Sequence, residues 1–333
     1  MALPATMNVV EITRIGPPEV LRVASRPVPA PGAGEVLIRV AAIGVCRPDS
    51  LQRRGMHPPP PGVSDVPGLE VAGTVEDLGA GVTAWRPGDA VCALLPGGGY
   101  AQFATAAQEQ VLPIPANWTA TEAATLPENA FTAWENVFRR GRLAAGETIL
   151  VHGGTSGLGS LTIMLARAFG ARALATAGTD AKCEACLRIG AEAAFNYKAG
   201  DWGPKVLEKT GGRGVDMVLD IVGRDYVQRS LEVLATDGRI VHLATQGPEK
   251  LATIDMRTLI QKRGTILASA LRWRSPAEKG VIARGLLEQV WPLLPARSPV
   301  FPLIDSVHPL ADAAKVHEYF DNGAHVGKIV LVP

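Results

Sequence analysis

The chain has little of several things, and each shortage removes a class of function. Only four of its 333 residues are cysteine. Cys46, Cys92, Cys183 and Cys186 are too few and too scattered for a disulfide framework in a chain of this length. Charge of one sign is missing too: 33 basic residues face 32 acidic ones, a net +1. No basic field exists to collect phosphate backbones, so nucleic acid is not expected as a main partner. Aromatic residues make up 5% of the chain and do not interleave with basic ones, as a single-stranded nucleic-acid platform requires. No apolar run approaches the ~20 residues that span a bilayer. The stretch Met1 to Met7 lacks a basic region followed by an apolar core. A cytoplasmic location without a membrane partner is therefore expected, and repeats and low-complexity tracts are absent.

What is present is an ordinary globular composition, 47% apolar and 20% charged, in a chain long enough for two domains. Cys183 and Cys186 form a C-x-x-C, but within a stretch from Asp180 to Ile189 that reads as a helix, and no second pair completes a zinc site. They are read as incidental helix residues.

The stretch from Thr148 to Gly170 organises the rest. Thr148-Ile149-Leu150-Val151 runs into His152-Gly153-Gly154-Thr155-Ser156-Gly157-Leu158-Gly159. After it Leu161, Ile163, Met164, Leu165, Ala168 and Phe169 recur at helical spacing. This is strand, glycine turn and helix, an arrangement that offers backbone N–H groups and a positive helix end to a pyrophosphate. The glycines fall as Gly154-x-x-Gly157-x-Gly159, a departure from the G-x-G-x-x-G dinucleotide fingerprint, and a ligand-free turn is the alternative.

The N-terminal part reads as short strands broken by proline and glycine: Val9 to Ile12, Glu35 to Ala42, Leu69 to Glu76, a strand after Trp85-Arg86-Pro87-Gly88, and Gly97 to Phe103. From Glu122 the texture turns helical. After the glycine turn strands alternate with helices: Arg172 to Thr176, Ala193 to Asn196, Val215 to Val222, Arg239 to Ala244 and Thr265 to Ala270 are the strands. The alternation predicts an α/β fold with a doubly wound parallel sheet and ligand at the carboxyl ends of its strands. Helices are expected from Ala277 to Leu294 and Leu310 to Phe320. The final strand, Lys328 to Val332, is expected to return to the N-terminal sheet. The domains are then 1–124 with 272–333, and 125–271.

Selectivity for one nicotinamide cofactor is read at the end of the second strand, where an NAD site carries an acid for the ribose 2′-hydroxyl. Here Ala177-Gly178-Thr179-Asp180-Ala181-Lys182 follows. Small residues leave space, and Lys182 suits a phosphate. Asp180 is read as the N-cap of the next helix, the alternative being a displaced ribose acid. Tyr197 suits a cover for the adenine-ribose phosphate or is an ordinary strand-end tyrosine.

Leu94 to Phe103, Phe195-Asn196-Tyr197-Lys198 and Gly327 to Leu331 carry a resemblance over nearly the whole chain. The chain resembles the zinc-free NADPH quinone oxidoreductases of the medium-chain dehydrogenase/reductase superfamily, most of all the p53-inducible quinone oxidoreductase branch. The resemblance implies a Rossmann domain inserted in a β-rich GroES-like substrate domain, bound NADPH, a homodimer built partly through the last strand of the nucleotide sheet, and quinone reduction. It places Gly154, Thr155, Ser156, Gly157 and Leu158 on the pyrophosphate and Lys182 and Tyr197 on the 2′-phosphate. Thr132 would lie near the nicotinamide, and Gly178, Val222, Leu243 and Lys328 would also contact the cofactor.

Zinc relatives in the superfamily hold their metal with a Cys, a G-H-E histidine and a further Cys. Gly44-Val45-Cys46-Arg47-Pro48-Asp49 resembles the first segment, but Gly68-Leu69-Glu70 has leucine for histidine, and Cys92 stands alone where the structural zinc lobe would be. No metal is expected. Cys46 stands where the quinone reductases usually have asparagine, and His57 where relatives tend to have tyrosine. Cys46 is read as a packing residue or a substrate-contacting thiol, His57 as a proton donor or a loop histidine. With Thr132 they form the candidate catalytic set. Hydride transfer to an already electrophilic quinone is the expected chemistry. The alternatives are reduction of an enone or enal double bond, and an NADPH-binding structural or RNA-binding protein with weak activity.

Overall fold

A computed structural model describes residues 3–244, 252–297 and 299–333; Met1 and Ala2 of the N-terminal stretch read above lie outside them. The chain divides into two units: Met1–Phe131 with Arg272–Pro295 and Pro302–Pro333, and Thr132–Leu271 with Ala296–Phe301. In chain order the elements are β1 (Thr6–Ile12), β2 (Leu21–Pro27), β3 (Glu35–Gly44), α1 (Arg47–Arg53), β4 (Glu70–Leu78), β5 (Ala90–Leu94), β6 (Phe103–Ala107), β7 (Val111–Pro113), α2 (Ala120–Ala123) and α3 (Pro127–Ala133). Then follow β8 (Thr148–His152), α4 (Gly157–Ala168), β9 (Arg172–Ala177), α5 (Asp180–Arg188), β10 (Ala193–Asn196), α6 (Trp202–Lys209), β11 (Val215–Asp220), α7 (Asp225–Glu232), β12 (Leu234–His242), α8 (Met256–Gln261) and β13 (Thr265–Ala268). The chain closes with α9 (Pro276–Gly285), β14 (Ile304–Pro309), α10 (Ala313–Asn322) and β15 (Lys328–Val332).

In the second unit the sheet order is β10-β9-β8-β11-β12-β13, every pair parallel. Strand β11 is buried at all six positions, as a strand covered on both faces must be, which is why Val215 to Asp220 is almost continuously apolar. The order reverses between β8 and β11, and ligands of such sheets bind at the carboxyl ends beside that reversal. Strand β8 delivers the glycine turn there.

In the first unit β14-β15-β3-β4-β5-β7 form a sheet, with β6 also on β3, and β1-β2 form a separate pair. The last strand does return to the N-terminal sheet: β15 pairs antiparallel with β3, Val330 opposite Gly44. Val36, Leu37, Ile38, Ile43, Val71, Val91, Leu95 and Tyr100 build its core. The strand expected from Gly97 begins instead at Phe103. Gly97 to Tyr100 form a loop laid on another backbone segment: Gly98 N donates to Val66 O at 2.7 Å and Tyr100 N to Pro67 O at 2.8 Å. Strand β2 was not expected, because only Leu21 of its seven residues is buried and the alternation that marks a half-buried strand is missing. No helix among the described residues is long and apolar enough to cross a membrane.

Two histidines are buried in the neutral form. Burial pulls His152 down to about 4 and His317 to about 3. His152 bridges Thr176 Oγ1 and Ser230 Oγ, each at 3.0 Å, and His317 Nε2 meets the Tyr100 hydroxyl at 2.9 Å. The unfolded chain protonates both near 6.5, the folded chain only below their depressed values. Their contribution is thus complete above about pH 6.5 and falls as pH drops, by about 1.4 kcal/mol per unit for each. Asp49 works against them, since burial raises its carboxyl to about 6. Thermal melts from pH 7 to 4.5 are expected to show falling stability, and His317→Gln should flatten the slope. An unchanged slope would mean that His317 is not the neutral buried base described.

Candidate functional site

The first cluster belongs to the second unit. The Ser156 hydroxyl accepts from Gly159 N at 3.0 Å and caps α4, leaving Gly157 and Leu158 at the open first turn, where N–H groups have no partner within the helix. A Cβ on Gly154 would lie 2.7 Å from Cys186 Sγ and 2.8 Å from Ala175 Cβ, and one on Gly159 would lie 2.3 Å from Gly153 O. The turn is thus closed on β9 and α5 from below and on α4 from behind. Thr155 is buried at its centre.

Where β9 ends, the N-cap of α5 is Thr179, whose hydroxyl accepts from Lys182 N at 3.2 Å. This corrects the reading of Asp180 as the cap: Thr179 offers the same oxygen chemistry one residue earlier. Asp180 is the first helical residue, and its carboxylate accepts from Asn196 Nδ2 at 2.8 Å. Tyr197 N donates to Ala177 O at 3.0 Å. The Tyr197 hydroxyl stands so near Gly178 that a Cβ there would lie 2.7 Å from it. Gly178, Lys182 and Tyr197 are therefore brought to one strand end.

Asp220 joins the next two strand ends. Its Oδ1 accepts from Val222 N at 2.8 Å and Gly223 N at 2.9 Å, its Oδ2 pairs with His242 Nδ1 at 3.1 Å, and its carbonyl accepts from Leu243 N at 2.9 Å. Those contacts fix the loops that carry Val222 and Leu243. Asp220 was missed in the sequence, although a fully buried acid closing an apolar strand is the signal that marks it.

Thr132 sits in the last turn of α3, 8% exposed, its carbonyl accepting from Asn136 Nδ2 at 2.9 Å. The helix then widens into a π-helical segment, Trp134–Arg140. Such segments are frequent at functional sites.

The second cluster belongs to the first unit and is wholly buried. Lys328 Nζ stands 2.5 Å from Glu70 Oε1, 2.8 Å from Val45 O and 3.3 Å from Cys46 Sγ. Cys46 Sγ lies 3.3 Å from Glu70 Oε1, and Glu70 Oε2 accepts from Glu128 N at 2.8 Å. Below them Asp49 takes Cys46 N at 2.8 Å, Gly68 N at 3.1 Å and the Tyr100 hydroxyl at 3.4 Å. Burial, with Glu70 close by, pushes the Cys46 thiol well up, so it is a neutral thiol at neutral pH. Burial pulls the Lys328 ammonium down, but its contact with Glu70 and the charge of Glu128 more than reverse that and hold it above its ordinary value. The pair is a carboxylate and an ammonium, with the thiol at their side.

His57 is half-buried. Burial and then the charge of Arg272 lower its imidazole below 6.5, so at pH 7 it is neutral. It shares no hydrogen bond with Cys46. Arg272, read in the sequence only as a domain edge, is 8% exposed and donates to His57 O, Pro96 O and Gln52 Oε1.

Comparison with known proteins gives the family. The family model described as "Alcohol dehydrogenase GroES-like domain" matches residues 32–116, and "Zinc-binding dehydrogenase" matches residues 157–284. The chain is 32% identical over 333 residues to a quinone oxidoreductase of Rattus norvegicus and 33% identical over 335 residues to that of Mus musculus, with 98% of each chain covered. A solved mycobacterial quinone oxidoreductase is 31% identical, covering 98% of this chain and 100% of its own, with a TM-score of 0.83. A mycobacterial protein solved in complex with NADPH is 30% identical, with the same coverage and a TM-score of 0.86. The CurK enoyl reductase is 26% identical, covers 99% of both chains and has a TM-score of 0.85.

The zinc in the second family description does not fit the donors present. A catalytic zinc takes three protein ligands, whereas here Cys46 and Glu70 converge on an ammonium and Leu69 precedes Glu70. Among the described residues no three His, Cys, Asp or Glu side chains form a metal's ligand set. Likeness above 30% identity across the full length of curated relatives, on a fold with both domains, shows the family: the chain belongs to the quinone oxidoreductases of the medium-chain dehydrogenase/reductase superfamily.

Proposed function

We propose that the protein is a zinc-independent, NADPH-dependent oxidoreductase that passes hydride to a quinone or a similar conjugated carbonyl. The observation that carries this reading is the Lys328 ammonium between Cys46 and Glu70. With the cation position held by a lysine, no Lewis acid polarises the acceptor, which must then be electrophilic by itself. The full-length likeness to quinone oxidoreductases supports the same acceptor class.

NADPH, when bound, supplies the hydride. The residues at the strand ends suit it. Gly154 to Leu158 present the turn and helix end for the pyrophosphate. Asp180 is engaged by Asn196, no other acid stands between Ala177 and Lys182, and Lys182 with Tyr197 would hold the 2′-phosphate. Val222, Leu243 and Thr132 would flank the rest of the cofactor. Lys328, which the resemblance puts on the cofactor, would serve it through Glu70 and the start of α3, since its side chain is 7% exposed and its ammonium already taken. His57, neutral at pH 7, and Cys46 would border the acceptor.

A homodimer is part of the proposal: among the described residues β13 ends the nucleotide sheet with β12 as its one strand partner, and an unpaired edge is a template for a second chain. A second reading, reduction of an enone double bond, has the likeness to the CurK enoyl reductase in its favour.

Anaerobic oxidation of NADPH and of NADH by a quinone series, with an enone control, tests all of this. Fast quinone turnover that prefers NADPH and survives a chelator is expected. Loss of turnover on chelation would overturn zinc independence. Preference for the enone would establish the second reading, and preference for NADH would remove the roles of Lys182 and Tyr197.

A further inference from the structure

Arg272 has a geometry that the proposed chemistry does not yet use. The residue is 8% exposed, and its guanidinium reaches three segments far apart in the chain. Nε donates to Pro96 O at 2.9 Å, one terminal nitrogen to His57 O at 2.9 Å and the other to Gln52 Oε1 at 2.8 Å. Gln52 passes the connection on, its Nε2 donating to Asp65 O at 2.9 Å. From behind, Lys279 Nζ donates to Arg272 O at 3.3 Å, with its ammonium lowered to about 8 by burial and then by Arg272.

The two loops so joined already lie on each other. Gly98 N, Gly99 N and Tyr100 N donate to Val66 O, Gly68 O and Pro67 O. With Leu95 N donating to Leu69 O at 2.7 Å as well, the ladder holds residues 66–69 against 95–100. His57, at the other end of the first segment, is tied to Pro96 through Arg272. Both present carbonyl oxygens at one point, and two acceptors facing each other repel unless a donor stands between them. A planar cation with five N–H groups in a fixed fork satisfies both and a side-chain oxygen at once, which a lysine cannot do.

We infer that Arg272 is a positioning residue for the acceptor: it sets the spacing of the His57 loop from the glycine loop, and so the shape of the pocket wall that selects the quinone. The inference rests on the proposed function, in that these loops border the acceptor. Arg272 touches no reacting atom. It acts through the backbone of His57 and Pro96.

The test uses the full-length protein with Arg272→Met, Arg272→Lys and Gln52→Leu. Steady-state constants are measured with a small and a bulky quinone, NADPH affinity by fluorescence titration, and amide exchange across 55–68 and 94–100. Arg272→Met is expected to raise KM for the small quinone about tenfold or more and to narrow the preference between the two quinones, with kcat changed less. NADPH affinity should stay within about twofold, because none of these contacts involves the nucleotide-binding unit. Arg272→Lys should restore little, since one point charge does not replace the fork. Exchange in both segments should quicken. Gln52→Leu removes one bond of the three and should give a smaller change of the same kind, which keeps the inference testable if the Arg272 variants do not fold.

Faster exchange with unaltered acceptor constants and selectivity would overturn the inference and leave Arg272 a structural brace. Unaltered exchange would overturn the brace itself. If the unmodified protein turns over neither quinone nor enone, the proposed function fails, and the exchange arm still decides whether the two loops depend on Arg272.

Discussion

Lys328→Met is expected to lower the free energy of unfolding by about 3–5 kcal/mol, the usual cost of removing one member of a buried ion pair. Glu70 is 0% exposed, and without the ammonium its carboxylate keeps only the hydrogen bonds from Glu128 N and the Cys46 thiol. The neutral Cys46 thiol is a weak donor and does not replace a charge. The double variant Glu70→Gln with Lys328→Met leaves no unpaired charge and should recover a large part of the loss, because two uncharged groups of similar size cost far less to bury than one lone ion.

Chemical denaturation of the two single variants and the double one measures the coupling directly. A Lys328→Met protein as stable as the parent would show that the pair is not held as described. If it kept its stability but lost NADPH affinity, the ammonium would serve the cofactor directly, as the sequence resemblance implies. Cys46→Ser is the mild member of the set: it keeps a small polar group beside Lys328 and should change stability by about 1 kcal/mol or less.

Much of this was legible before the structure. The β-α alternation after Thr148 announced a parallel sheet, and the sheet has the predicted strands, with its order reversing beside the turn after β8. The last strand was legible because a lone apolar run at a chain end needs a sheet to join. Strand β2 was not, since it is a polar strand in a two-stranded pair and carries no periodic signal. The glycine loop at 97–100 was misread as strand because its apolar flank, Tyr100 to Phe103, looks extended. Its glycines are there for close backbone contact with Val66 to Gly68, a tertiary fact that local pattern does not contain.

The site divides in the same way. Residues proposed to act through the backbone they shape, Gly154 to Gly159, are visible in the motif. Residues whose role lies in a partner far along the chain are not. Lys328 was named for the cofactor, yet its nearest charge is Glu70, more than half the chain away. Arg272 was passed over because its acceptors come from segments that only the fold brings together, and Asp220 because its partner His242 lies on the neighbouring strand. The correction at Thr179 is smaller and of another kind: two neighbouring residues had equal capping chemistry, and only backbone geometry separates them.

Gly159→Ala is expected to damage both the stability of the nucleotide-binding unit and its hold on the cofactor. Its new Cβ would stand 2.3 Å from Gly153 O and 3.0 Å from both Gly153 C and Gly154 Cα. These are backbone atoms of the turn itself, so no side chain can swing aside. Either α4 moves back from the turn or the turn opens, and both displace Gly157 and Leu158 at the helix start. Overpacking of this kind costs about 1–3 kcal/mol of stability. Binding should suffer more, because the N–H groups at a helix end hold a pyrophosphate only when they point at one place. A loss of about 100-fold in NADPH affinity, nearly 3 kcal/mol, is the expected result of fluorescence titration. Gly203→Ala provides the control. It lies within α6, and the nearest atom to its added Cβ is Asp201 Oδ1 at 3.4 Å. Alanine also favours the helix over glycine by up to about 1 kcal/mol, so that variant should bind NADPH as the parent does and melt no lower. If Gly159→Ala behaved like Gly203→Ala, the turn after β8 would not be the pyrophosphate site, and the cofactor reading would have to be rebuilt from the other strand ends.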